Sequence, residues 1–596
     1  MNVTLIDALR SAASGDAGIH FIDSAERESF LPYRELWQSA LCTLSTLRAT
    51  GLGEGDALVL QFTDVRQLLV AYWACLAGRI VPVPLTFADA SAHADKLFAV
   101  WRTLERPWLA TDADGFCVRL RTVAQQPEDL ATCAAMRARL LRLPTQQERA
   151  EPAAVRPDDI AFIQFSSGST GAPKGVMLTH ANLLGNIGDI LAAAEVTPRD
   201  TFLSWKPITH DFGMIAFHLA PIVGGCSQVR LATDAFIWNP ALWFVATHRH
   251  RASILGSPNF GYRHFLKLWG RGEVRRFDWD LSCVRAIMNG AEPIDAQLCA
   301  DFVRELGPFG LPRNSMRAGY GLAEGSLVCS LTPLHEAMHT ITVDRRSLGI
   351  GDPLLELPVG DPHAATFVDC GVPCPNTALR ITDKRRHPLP PGRVGRIEIR
   401  GASVSSGYYR NPEANRELID ADGWLDTQDL GVLRAGRLFI VGRVKEIITI
   451  GGVNYFPHDI EQAILRRLGG NELNKYIVCG RSNADSGRQE LVAFVYFKRG
   501  EAAFRRLAEQ VRQAVLESFG LDVAQVVAVR RIPKTTSGKV QRFKLLAQLQ
   551  AAAEATAQTP APAHPPPPGV AGQMRRHPTH LLGVADVDPR AVDLAF

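Results

Sequence analysis

One stretch limits what this chain can fold into: Gln164-Phe-Ser-Ser-Gly-Ser-Thr-Gly-Ala-Pro-Lys-Gly-Val-Met-Leu-Thr-His180. The preceding run, Asp159-Ile-Ala-Phe-Ile-Gln-Phe165, has the apolar, β-branched and aromatic bias of a buried strand. Thr179 is placed to N-cap a helix through Ala181, Asn182, Leu183 and Leu184. Between strand and helix the sequence predicts a loop containing Ser166, Ser167, Gly168, Ser169, Thr170, Gly171, Lys174 and Gly175. Glycines let backbone N–H groups approach an anion, hydroxyls donate to phosphate oxygens, and Lys174 adds a cation. It is not a Walker A loop, because Gly175 rather than Ser or Thr follows Lys174. A plain polar turn would account for the glycines, but not for so many hydroxyls with one lysine after a strand.

At 596 residues the chain is too long for one core, so two or more domains are expected. The first ten residues lack a basic start followed by an apolar core, and no apolar run is long enough to span a bilayer. A cytoplasmic protein with no transmembrane segment is therefore expected. The 11 cysteines are scattered, and the pair Cys370 and Cys374 has no second pair to complete a zinc site. A net charge of +4 offers no argument for nucleic-acid binding.

Strand-like Ala57–Gln61, helix-like Leu68–Leu76 and strand-like Ile80–Pro84 read as a βαβ unit of an open sheet. His210-Asp211-x-Gly213 is a polar pair in an apolar setting. Ala286–Pro293 reads as a strand ending in a small-residue turn, where open α/β sheets bind ligands. Tyr320 supplies a ring able to stack on a purine, and Glu324 a carboxylate able to hold Mg²⁺. In Pro533-Lys-Thr-Thr-Ser-Gly-Lys-Val-Gln-Arg542 a glycine frees Lys539 to reach a distant site. Residues 551–570 turn to Ala, Thr and Pro, the composition of an extended linker.

In their order along residues 50 to 545 these motifs resemble the adenylate-forming superfamily of acyl-CoA synthetases, peptide-synthetase adenylation domains and luciferases. The segment Ser204-Trp-Lys-Pro-Ile-Thr-His-Asp-Phe-Gly213, Ser257-Pro-Asn-Phe-Gly-Tyr262 and the long crossing from Glu324 to Cys370 resemble its fatty acyl-AMP ligase branch. Lys206 departs from that branch, where an apolar residue is usual. The resemblance implies an α/β fold: a large N-terminal domain of open sheets flanked by helices, and a small mobile α+β domain. The boundaries would be 1–442, with an insertion at about 335–370, then 443–549 with its hinge at Lys445, and a tail at 550–596 without fixed structure.

It further implies ATP and Mg²⁺ as cofactors. Ser166 to Gly171 and Lys174 would hold phosphates, while Gly290, Ala291, Glu292, Tyr320, Gly321, Asp429 and Arg443 would hold adenine and ribose. Gln428 replaces a glycine usual before Asp429. His210, Asp211, Met214, Phe260 and Gly261 would line the acyl pocket, with Lys539, Glu324 and His210 catalytic and Glu324 the metal ligand. The implied reaction is activation of a carboxylic acid, most simply a fatty acid, to an acyl adenylate. Transfer to the phosphopantetheine thiol of a separate acyl carrier protein would follow. The alternatives are an amino-acid or aryl-acid adenylating enzyme, an acyl-CoA synthetase, or a degenerate adenylate-binding scaffold; the presence of Glu324, Asp429, Arg443 and Lys539 argues against the last.

Overall fold

The computed structural model describes residues 3–88, 91–124, 126–143, 148–167, 173–270, 278–361, 363–451, 453–468, 475–483, 488–534, 540–557 and 580–581. The large α/β unit is built on a nine-stranded sheet among these residues. Its order is Val372–Pro373, Ser330–Leu331, Met316–Tyr320, Ala286–Asn289, Ile254–Gly256, Thr201–Ser204, Ser227–Leu231, Gly18–Ile22 and Glu28–Pro32. The six strands from Met316–Tyr320 to Gly18–Ile22 pair in parallel and the edges pair antiparallel. Parallel strands covered on both faces have no solvent side, and Ile254–Gly256 and Ala286–Asn289 are buried at every residue. Their carboxyl ends, at Gly256, Asn289 and Tyr320, form one rim.

The predicted βαβ unit is present in a second, parallel sheet of Val81–Pro84, Ala57–Gln61, Trp108–Thr111 and Leu140–Leu141. Its helix, Val65–Ala77, is N-capped by the Asp64 carboxylate, which accepts from the Arg66 and Gln67 N–H groups. Beside it, Ile160–Ser167 pairs antiparallel with Pro173–Thr179. This corrects the predicted loop at both ends: Ser166 and Ser167 extend the first strand, and Lys174 lies on the second, opposite Ser166. Ladder hydrogen bonds satisfy backbone groups that a loop would leave to water. The helix after it begins as predicted. The Thr179 hydroxyl accepts from Asn182 N–H and the Asn182 amide oxygen accepts from Thr179 N–H, capping His180–Ala193.

A third, antiparallel sheet contains Thr377–Thr382, Gly395–Gly401, Leu425–Arg434 and Arg437–Arg443, and its register puts Asp429 opposite Arg443. The chain then enters a smaller α+β unit in which Tyr476–Ser482, Gln489–Tyr496 and Val523–Val529 carry helices Pro457–Leu468 and Glu501–Phe519 over one core. Helix Arg542–Ala557 covers the other face through Leu545 and Leu549. That helix overruns the predicted start of the tail at 550. His580–Leu581 also pairs with Val527 and Ala528, so part of the predicted tail joins the sheet. The rest of the 558–596 segment lies outside the described residues.

Within the predicted insertion, Thr340–Asp344 and Ala364–Val368 form a hairpin. Arg345, in the turn directly after the first of these strands, reaches the small unit: it donates to Ser518 O at 3.4 Å, pairs with Asp459 at 3.6 Å, and lies 4.2 Å over the Phe519 ring. All 11 cysteines carry free thiols. No helix among the described residues is long and apolar enough to cross a membrane.

Candidate functional site

At the rim of the main sheet a cavity of about 250 Å³ lies where that sheet, the Ile160–Ser167/Pro173–Thr179 pair, the third sheet and the start of the small unit meet. Many of the residues singled out from the sequence line it: Ser166, Lys174, His210, Asp211, Gly290, Ala291, Tyr320, Gly321, Glu324, Arg443 and Lys445. Lys445 sits in the short helical turn Val444–Glu446, directly after the third sheet. Ser167 joins its strand, but its side chain, all of Gly168, Ser169, Thr170 and Gly171, and Lys539 lie outside the described residues. Lys534, described just before Lys539, is half-buried; burial lowers its pKa while the Glu292 carboxylate opposes that shift.

Asp429 stands one layer behind the cavity wall and holds two wall residues. Its carboxylate accepts from Tyr320 OH at 2.9 Å and from Arg443 Nε at 2.8 Å. Burial, then the Asp429 charge, pushes the Tyr320 phenol well up, and the same charge raises Arg443. Gln428, at the position of the missing glycine, has φ +61°. The left-handed conformation is still required there, and a side chain now bears its cost of about 1 kcal/mol. Gly321 has no such latitude, since a Cβ would lie 1.6 Å from Leu327 O.

Glu324 accepts from Tyr408 OH at 2.8 Å, and Lys174 Nζ lies 4.6 Å over the Tyr408 ring. Burial and the Glu324 charge push the Tyr408 phenol up, so it remains a donor. Tyr408 is a site residue that the sequence reading does not find; nothing in the triplet Gly407-Tyr-Tyr signals this contact. Lys96 was missed altogether. It lines the cavity from helix Ser91–Thr103, donates to Phe165 O at 3.1 Å, and burial brings its pKa down to about 8.

On the opposite wall, His210 Nδ1 and Asp211 Oδ1 are 2.6 Å apart, and the Phe212 N–H donates to Asp211 Oδ1 at 2.6 Å. The three remaining acyl-pocket candidates do not line this cavity. Met214 is buried in the core inside the π-helix Phe212–Leu219. Phe260 packs on Trp205 and stacks on His264. Gly261 abuts Ser257 and Trp205 so closely that a Cβ would lie 2.1 Å from Ser257 Oγ. Glu292 likewise turns away from the cavity wall to accept from Phe260 N–H at 3.2 Å. Their local patterns were apolar or Gly-rich, which marks close packing as readily as a pocket.

Lys206 is buried at 5% exposure, and its Nζ has no hydrogen-bond partner among the described residues. It lies 2.8 Å from the Phe212 ring centroid and 4.5 Å from that of Phe217. Burial, reinforced by Arg230, depresses its pKa far below the usual value. Two aromatic faces return about 2 kcal/mol each at most, against several kcal/mol for burying an ion.

A family description, AMP-binding enzyme, matches residues 10–409, and a second, Disco-interacting protein 2-like AMP domain, matches residues 445–558. The chain belongs to the AMP-binding enzyme family, the class that this fold and cavity define. A Caulobacter vibrioides protein, provisionally named an acyl-CoA synthetase, is 30% identical over 91% of this chain and 94% of its own. A 4-hydroxyphenylalkanoate adenylyltransferase of Mycobacterium tuberculosis is 28% identical over 90% of each chain. A medium-chain-fatty-acid–[acyl-carrier-protein] ligase of Moorena producens is 27% identical over 90% of this chain and 94% of its own. Among solved structures, a fatty acyl-adenylate ligase from a study of Escherichia coli and Legionella pneumophila enzymes superposes with a TM-score of 0.81 at 28% identity, covering 93% of this chain and 98% of its own. The McyG adenylation–carrier structure, complexed with phenylalanyl-adenylate, gives 0.80 at 27% identity, covering 93% and 84%.

Proposed function

We propose that this chain is a fatty acyl-AMP ligase: it activates a carboxylic acid with ATP and passes the acyl group to the phosphopantetheine thiol of an acyl carrier protein. The observation that carries the adenylation step is the convergence of Ser166, Lys174, Tyr320, Glu324 and Arg443 on one cavity. A carboxylate oxygen of the acid attacks the α-phosphorus, the bond to the bridging oxygen breaks, and pyrophosphate leaves. Such a transfer needs positioning and charge stabilisation rather than a protein nucleophile. Ser166 and Lys174, with the segment 167–171, would hold the outgoing phosphates, and Tyr320 and Arg443, steadied by Asp429, the nucleoside. Lys539 would neutralise the charge that grows at the α-phosphate, a role worth about 3–4 kcal/mol for one preorganised donor.

Glu324 fits a hard divalent cation: it lines the cavity, and no described group other than the Tyr408 hydroxyl donates to its carboxylate. Mg²⁺ held there would offset phosphate charge. In the second half-reaction the carrier's thiolate attacks the acyl carbonyl and AMP leaves, after the small unit turns about Lys445. The Arg345 contacts favour a carrier protein over free CoA, because they tie the insertion hairpin to the unit that must move. The name of the Caulobacter relative supports the second reading, an acyl-CoA synthetase.

The test is acid-dependent ATP–pyrophosphate exchange over fatty, aryl and amino acids with and without Mg²⁺, followed by transfer to carrier protein or CoA. Exchange with fatty acids, abolished by chelation, and transfer to the carrier alone are expected. Exchange confined to amino acids would replace the acid class, and equal rates with CoA would make the second reading the better one.

A further inference from the structure

We infer that Lys206 is the floor of a polar subsite behind Phe212, and that the acid this chain activates carries a hydrogen-bond-accepting oxygen along its chain. The inference deepens the acid-activating reading and rests on it.

Lys206 lies between cavity-lining neighbours without lining the cavity itself. Pro207, next in the chain, lines it, and so does Phe212, whose ring carries the Lys206 Nζ. One aromatic side chain thus touches both the cavity and the buried amine. Behind Nζ the strand Ile254–Gly256 ends in a glycine, and a Cβ there would come within 3.2 Å of Nζ. The other charged neighbour, Arg230, is fully engaged with backbone carbonyls: it donates to Gly213, Phe217 and Lys206 oxygens. It adds charge of the same sign and accepts nothing. The acidic group that acts on Lys206 is Asp211, which lines the cavity and is engaged with His210 and the Phe212 N–H. The segment between, Phe212–Leu219, is a fully buried π-helix, a rare form found frequently at functional sites.

A buried nitrogen donor without an acceptor is costly to keep. Here the apolar residues Phe212 and Phe217 face it and no described residue supplies an acceptor, so a ligand that comes past Phe212 would supply one. The acyl chain is the part of the substrate that this wall would meet. A carboxylate, keto or hydroxyl oxygen on that chain would satisfy Nζ, whether it stands as amine or ammonium. A plain alkyl chain would leave it unsatisfied.

The experiment compares kcat/KM in ATP–pyrophosphate exchange for length-matched acids in three arms: plain alkanoic, hydroxy- or keto-alkanoic, and dicarboxylic. The wild type is expected to favour an oxygenated arm over the plain one by tenfold or more, and the favoured arm names the source of the oxygen. Lys206→Met should cut that ratio by tenfold or more, and Lys206→Gln, which keeps a donor, should retain part of it. Because the readout is a ratio within one protein, a variant that folds poorly still reports, and the wild-type panel decides even without variants. A wild type that prefers plain acids, or a preference untouched in Lys206→Met, would overturn the inference alone. No exchange with any acid would overturn the acid-activating reading with it.

Discussion

The two ends of the cavity treat charge in opposite ways. At the nucleotide end Asp429 has Tyr320 and Arg443, Glu324 has Tyr408, and Lys174 rests on the Tyr408 ring. Behind the His210–Asp211 wall Lys206 Nζ has two phenyl faces and no acceptor among the described residues. Partnered groups hold a geometry before any ligand arrives, and a preorganised site spends little on reorganisation when charge develops. An unpartnered buried group costs stability and gains when a ligand supplies what is missing. On the proposed function, the first end would serve a constant ligand and the second would carry the selection.

Five substitutions sharpen or break that contrast. The largest effect should come from Lys539→Ala, which should slow adenylation about a hundred- to thousandfold. ATP should still bind and acyl transfer from a supplied acyl adenylate should persist; equal losses in both half-reactions would remove Lys539 from the charge-stabilising role. Next, Asp429→Ala should lower kcat/KM for ATP by about ten- to a hundredfold, as two wall side chains lose their anchor, each worth about 1.5–3 kcal/mol as a hydrogen bond to a charged group. Rates for different acids should fall by one common factor, which acid-panel kinetics would check.

Lys206→Met should act behind the opposite wall and stabilise the free protein by about 1–3 kcal/mol, the desolvation penalty of a buried polar group left without a partner. Denaturant melts would measure it, and a destabilised variant would mean that Nζ is better satisfied than its neighbours indicate.

Lys96 supplies the pH test. Its amine loses its proton near pH 8 instead of near 10.5, because burial disfavours the charged form. As pH rises through about 8 the cavity loses a cation, so kcat/KM for ATP should fall. Lys96→Met should be lower below that pH and flat across it. Stability moves the other way: the unfolded state binds more protons between about 8 and 10.5, so rising pH relieves the burial cost in that window. The smallest effect is Gln428→Gly, which should stabilise by about 1 kcal/mol or less by removing a side chain from a left-handed turn, with little change in ATP kinetics.

Sequence by itself determined the elements whose causes are local. Asp64 and Thr179 cap helices where their side chains can reach N–H groups two or three residues on. The parallel strands read as apolar runs because both of their faces are covered. The candidate nucleotide residues sit at strand ends and turns, where glycine and position already imply a rim. Tertiary structure alone decided what depends on two distant segments meeting. Tyr408 OH reaches Glu324 across 84 positions, Lys96 reaches Phe165 across 69, and Arg345, between the two strands of the insertion hairpin, finds Ser518 across 173. It also placed Met214, Phe260 and Gly261 off the cavity wall and left Lys206 without an acceptor among the described residues. Spacing along a chain reports which side chains share a face, whereas burial and partnership are set by what packs against that face.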